Sequence, residues 1–119
     1  MLQEKSLNGV KIYSIDKEKL EKKLEEISKK IKKEKLEVEK IIVFGSFAKG
    51  NYTPFSDVDI AIIVRKSDKK FLERQDEFIE YFDDVEIDVN LIIYTKEEFE
   101  KLIKEENSFV KEILKGKEV

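Results

Sequence analysis

The sequence predicts an α/β (α+β) domain: a small mixed sheet of three to four strands with helices packed on it. Three observations predict it. Apolar runs of strand length, Val38 to Phe44, Val58 to Val64 and Val85 to Tyr94, alternate with segments of helical periodicity. Ile41-Ile42-Val43-Phe44 is apolar at every position, the mark of a strand buried on both faces. The chain has 119 residues and one Pro, with no repeat, low-complexity stretch or Gly/Pro-rich linker, so one domain spanning 1–119 is expected.

The elements follow in order. Leu20, Leu24, Ile27 and Ile31 recur at helical spacing after the candidate caps Ser14 and Asp16, giving a first helix of about 17–33. Its lysines (Lys29, Lys30, Lys32, Lys33, Lys35) are interleaved with Glu21, Glu25, Glu26 and Glu34 and lack an aromatic platform. A solvated face explains them better than nucleic-acid binding. After the first strand, residues 46–49 begin a short helix and 50–56 form a loop broken by Pro54. Beyond the second strand, Ser67 or Asp68 can cap a helix reaching about Phe82, with Phe71, Leu72, Phe78 and Ile79 as its apolar residues. Thr95-Lys96-Glu97-Glu98 reads as a capping box ahead of a helix bearing Phe99, Leu102 and Ile103. A last helix of about 109–114 is closed by Gly116 as a C-cap.

Composition narrows the chemistry. The chain has neither Cys nor His. Disulfides, thiolate chemistry and the commonest general base and metal ligand are therefore excluded. Asp, Glu, Lys or Tyr must do any acid–base or metal work. Charged residues are 43% of the chain, yet 24 basic and 27 acidic residues leave a net charge of −3. Such an interspersed surface favours solubility over a broad polyanion-binding face. The richness in Lys, Glu and Ile resembles thermophile usage. No run approaches the ~20 apolar residues of a membrane span, and the first residues lack a signal-peptide core, so a cytoplasmic protein is expected.

The densest information lies in residues 45–59, GSFAKGNYTPFSDVD. Asp57 and Asp59 open the second strand. Alternate strand residues share a face, with Cα atoms roughly 6.5–7 Å apart, so both carboxylates can meet one hard cation. Magnesium is commonly held by one or two carboxylates while substrate phosphates complete its shell. Gly45-Ser46, at the end of the first strand, can offer backbone N–H groups and a hydroxyl to those phosphates. For the two to meet, the first and second strands must run antiparallel; Asp88, early in the third strand, then implies a parallel second pair. Along the second strand the acidic face turns apolar at Ala61 and Ile63, and along the third at Ile92, which puts the site at one end of the sheet. The residues point to metal-assisted phosphoryl or nucleotidyl transfer.

Simpler readings exist for each residue. Asp57 and Asp59 could be turn residues after Pro54. Asp88 could be a strand-edge acid on a solvated face with Glu86 and Asn90. Lys49 could meet a triphosphate as a point charge or face solvent. Tyr13, Tyr52 and Phe55 could stack a base, although loop or core packing suits them better. Gly45 to Gly50 has the spacing of a P-loop but carries Asn51 where that motif requires Lys.

Gly45-Ser46, ten intervening residues and Asp57-Val58-Asp59 resemble the signature of the nucleotidyltransferase superfamily related to DNA polymerase beta. The short chain and the GSFAKG wording resemble its minimal nucleotidyltransferases, often encoded beside HEPN-domain partners. Asp88 fits that family's third acidic residue, and residues 109–119 resemble its C-terminal ending, so the likeness covers about 10–119. The resemblance implies a nucleotidyltransferase fold and two magnesium ions held by Asp57, Asp59 and Asp88. It also implies ATP gripped by Gly45, Ser46 and Lys49 (where the family often carries Arg), with AMP passed to a hydroxyl. The implied acceptor is a tyrosine of a HEPN-type toxin, making this chain an antitoxin; a homo-oligomer is compatible with it. The alternative is a binding module that neutralises such a partner by docking.

Overall fold

The computed structural model describes residues 2–53 and 56–119, except the side chains of Leu2, Ile12 and Tyr13. Its centre is a four-stranded sheet in which the strands lie in the order β5 (Val89–Thr95), β4 (Val58–Val64), β3 (Val38–Phe44), β6 (Lys117–Glu118). β3 and β4 occupy the middle. They pair antiparallel, with Phe44 opposite Asp59. β5 runs parallel to β4 along one edge. The two strand directions required by the sequence are both present.

Each face of the sheet buries one apolar layer. α1 (Lys17–Glu34) lays Leu20, Leu24, Ile27 and Ile31 on Ile41, Val43, Ile60 and Ile62. Asp16, rather than Ser14, caps it, accepting from the Lys19 N–H at 3.2 Å. α3 (Lys96–Lys104) and α4 (Ser108–Leu114) cover the other face, where Phe99, Val110 and Ile113 pack on Ile42, Phe44, Ala61, Ile63 and Tyr94. The capping box at Thr95 is present in full: Thr95 Oγ1 accepts from Glu98 N–H at 3.2 Å, and Glu98 Oε1 from Thr95 N–H at 2.8 Å. Between β3 and β4 lies the one-turn α2 (Gly45–Lys49), ended by Gly50 in the left-handed region.

Four elements differ from the sequence reading. The helix expected from Ser67 or Asp68 is instead two 3₁₀ segments, Phe71–Glu77 and Ile79–Phe82. An α-helix there would need an apolar anchor midway between Phe71 and Phe78. The chain has Arg74, which is buried with its guanidinium turned to the edge of β5. Ser67 Oγ serves a local turn, accepting from Lys69 N–H at 3.1 Å. β5 starts at Val89 and not Val85, because its partner β4 begins at Val58, the residue paired with Val89. Gly116 is no left-handed C-cap. It lies where any Cβ would strike the Val43 carbonyl, allowing Lys117–Glu118 to form β6 against β3. That strand is hidden in the sequence, since Lys-Glu after a glycine reads as a polar tail.

Residues 2–15, to which no strand is assigned above, form a hairpin of β1 (Leu2–Leu7) and β2 (Val10–Ile15). Asn8 and Gly9 both take positive φ (50° and 78°), as a type I′ turn demands. The hairpin forms a sheet of its own, and Leu7 and Val10 beside the turn are exposed.

Candidate active site at the end of the sheet

The sheet's polar end is built by strand register. β3 delivers Gly45 as it leaves the sheet, beside Asp59 on the adjacent strand. Asp57, the residue before β4, and Asp59 bracket the buried Val58. Asp59 shares its face with Ala61 and Ile63, which lie in the core beneath α3 and α4. The carboxylates thus stand above a rigid apolar layer, half-exposed at Asp59 and exposed at Asp57.

Gly45 is fixed by two independent demands. Its φ is +76°, a region that side chains make costly. A Cβ there would also collide with Asp59 Oδ2. The Asp59 carboxylate therefore lies directly against the backbone that opens α2. Gly45 is brought to Asp59, and Ser46 follows it as the second residue of α2.

Asp88 occupies a different setting from the one expected. It precedes β5 instead of lying within it. Its carbonyl accepts from the Val58 N–H at 2.9 Å, which ties it to the mouth of β4. Asp88 is exposed and lines one open hollow with Asp57, Asn90, Ile79 and Phe82. Among the described residues, no three acidic side chains gather into a metal-holding group. Asp57 and Asp59 converge as a pair, with Asp88 adjacent.

Lys49 has another partner altogether. Its Nζ donates to Glu112 Oε2 on α4 at 2.6 Å. That hydrogen bond, with a further one from Lys115, lowers the Glu112 pKa from its ordinary value. The expected contact with phosphate would require Lys49 to leave this pair. Of the candidate aromatics, Tyr52 stacks on Phe47, ring centroids 5.0 Å apart, as a packing residue. Phe55 and the Tyr13 side chain lie outside the described residues. Lys29, Lys30, Lys32 and Lys33 are exposed, and Lys35 is partly covered.

One site residue escapes the sequence reading. Asn90, paired with Asp59 across β4 and β5, donates its amide to Asp57 Oδ2 at 3.0 Å and to Asp59 Oδ1 at 3.2 Å. A signal for it exists. Asp57-Val58-Asp59 and Asp88-Val89-Asn90 repeat one polar-Val-polar pattern, and the register sets Val58 beside Val89.

The donor set fits a divalent cation. Two carboxylates from one strand already share a single N–H₂ donor, so their oxygens converge on a common point where positive charge is favoured. With two carboxylates, the rest of a magnesium shell would come from substrate phosphates and water. The cation would neutralise charge on the phosphates and on the departing group.

The nucleotidyltransferase domain family matches residues 18–118. Among solved structures, the chain resembles a Sulfolobus solfataricus protein assigned as a nucleotidyltransferase. The TM-score is 0.58 and the identity 21%, over 71% of this chain and 75% of that one. This likeness shows a shared fold. No curated protein matches the sequence. No helix among the described residues is long and apolar enough to cross a membrane. The family match spans both edges of the polar site, from α1 through the Gly45 turn and the aspartates to β6, and the chain belongs to the nucleotidyltransferase domain family.

Proposed function

We propose that this chain is a magnesium-dependent nucleotidyltransferase that moves AMP from ATP to a hydroxyl acceptor, a tyrosine of a HEPN-type partner. The observation that carries the reading is the contact between Asp59 and the Gly45 backbone: it sets an acidic pair against a turn able to hold phosphate. Asp57 and Asp59 would hold the cation that bridges the triphosphate. The Gly45-Ser46 backbone and the Ser46 hydroxyl would grip the β- and γ-phosphates. Asp88, in the same hollow as Asp57, would accept the proton of the attacking hydroxyl. The acceptor oxygen bonds to the α-phosphorus, the bond to the β-phosphate bridge breaks, and pyrophosphate leaves. The AMP donor and the HEPN-type acceptor rest on the resemblance of the GSFAKG segment and residues 109–119 to minimal nucleotidyltransferases.

Incubation with labelled ATP, magnesium and the adjacent gene's product, followed by intact-mass measurement, tests this. The partner should gain one or more AMP masses with wild type and none with Asp57→Asn/Asp59→Asn, a loss of at least ~10³-fold. Equal inhibition of the partner by both proteins with no added mass would replace transfer by docking.

A further inference from the structure

Building on the reading of Asp57 and Asp59 as cation ligands, we propose that Asn90 is a positioning residue whose amide holds their carboxylates together and is displaced when the cation enters. Carboxylates can only accept hydrogen bonds, so the group they share must be the N–H₂ of Asn90 and not its oxygen. One amide nitrogen offers two protons, and here each carboxylate takes one. The amide thus stands in for a cation, as a weak and uncharged substitute.

The location supports this role over a structural one. Asn90 is exposed, lies on edge strand β5, and among the described residues directs its amide to the two acids. Asn is depleted in strands, so local propensity does not favour it here. Register places it beside Asp59, and Asp88 lines the same hollow as Asp57. Two adjacent aspartates without a donor between them would repel and splay. With Asn90 they are gathered before the metal arrives, which lowers the ordering cost of binding. The same bonds must be given up on binding, so the amide also competes with the cation. Charge-assisted bonds are stronger than neutral ones, and the competition should exceed the benefit of gathering.

The test measures Mn²⁺ affinity of the full chain without nucleotide, by calorimetry, alongside circular dichroism to confirm folding. Asn90→Ala should tighten Mn²⁺ binding by about threefold or more, because two charge-assisted bonds no longer oppose it. Asn90→Asp should tighten it by about tenfold or more, since a third carboxylate replaces the competitor. In wild type, the Asn90 side-chain N–H₂ resonances should move on saturation with Mg²⁺, a readout that needs no variant. Unchanged Mn²⁺ affinity in Asn90→Ala, or immobile resonances, would overturn the proposal while leaving the functional reading intact. Weaker binding in Asn90→Ala would overturn displacement too, leaving gathering of the carboxylates or ligation through the amide oxygen as the role of Asn90. If wild type binds no Mn²⁺ alone, this proposal falls; if it binds none with ATP present either, the cation-dependent function falls with it.

Discussion

Two carboxylate sites sit at opposite ends of the central strands, and they are furnished in opposite ways. At the far end, Glu98 receives everything a carboxylate can use. Arg74 donates to it through both terminal nitrogens, at 2.5 and 3.2 Å, and the Thr95 N–H adds a third bond. Arg74 itself is buried and also donates to the Lys69 and Ile93 carbonyls. At the near end, Asp57 and Asp59 share one neutral amide, and Lys49 is paired with Glu112 instead. A saturated carboxylate serves the fold. The aspartate pair is left with one neutral donor between two carboxyl groups.

The comparison breaks most visibly at Arg74. Arg74→Ala removes a bidentate ion pair, two bonds to backbone carbonyls, and the guanidinium 5.7 Å from the centre of the Phe71 ring. Losing one partner of a buried pair costs about 3–5 kcal/mol, and water reaching the 40%-exposed Glu98 side chain reduces this. A loss of about 2–4 kcal/mol in urea unfolding is expected. Transfer activity should persist wherever the variant is folded, because the far end touches no proposed substrate group. Loss of activity in folded protein would mean that the two ends are coupled.

Gly45→Ala should show the reverse pattern. The positive φ costs about 1–2 kcal/mol in a residue with a side chain. The added methyl also drives Asp59 from its place, and a misplacement of about 1 Å can cost ~10²-fold in rate. Activity should therefore fall at least ~10²-fold, while urea unfolding records only the small loss. A fully active Gly45→Ala would remove the Gly45–Asp59 contact from the mechanism.

The same contrast explains what the sequence disclosed. β3, β4 and the acidic pair were readable because local pattern and tertiary role agree there: Ile41 to Phe44 is apolar throughout and buried throughout. The antiparallel first pair followed from the need for Gly45-Ser46 to meet the aspartates, and the parallel second pair from the position of Asp88. The 3₁₀ segments were not readable, since nothing local to Arg74 announces that Glu98, 24 residues on, will bury it. β6 likewise depends on the fit of Gly116 under Val43. The hairpin does carry a local signal, Asn8-Gly9, the favoured pair for a two-residue turn. Asn90 stayed hidden because an exposed polar residue in a strand looks solvated until its neighbour strand is known.

The smallest expected effect concerns pH. Hydrogen bonding from Arg74, partly opposed by burial, holds the Glu98 pKa below its ordinary value. The ionised form is thus favoured by folding. Its contribution is fully present above the ordinary carboxylate range and disappears as pH falls through that range toward the lowered folded value. Glu98→Gln keeps an acceptor for the Thr95 N–H but carries no charge for Arg74. At neutral pH it should unfold more easily than wild type, by less than about 1 kcal/mol, because partial exposure screens the pair. Once pH falls below the lowered folded value the two proteins should converge, since a protonated Glu98 and the neutral amide of the variant are then nearly equivalent. Melting curves from pH 7 downward would show this as a shallower acid limb in the variant. A gap that stays constant with pH would instead assign the effect of Glu98 to helix capping and packing. The far end would then be held by shape more than by charge, and its contrast with the aspartate pair would rest on Arg74 alone.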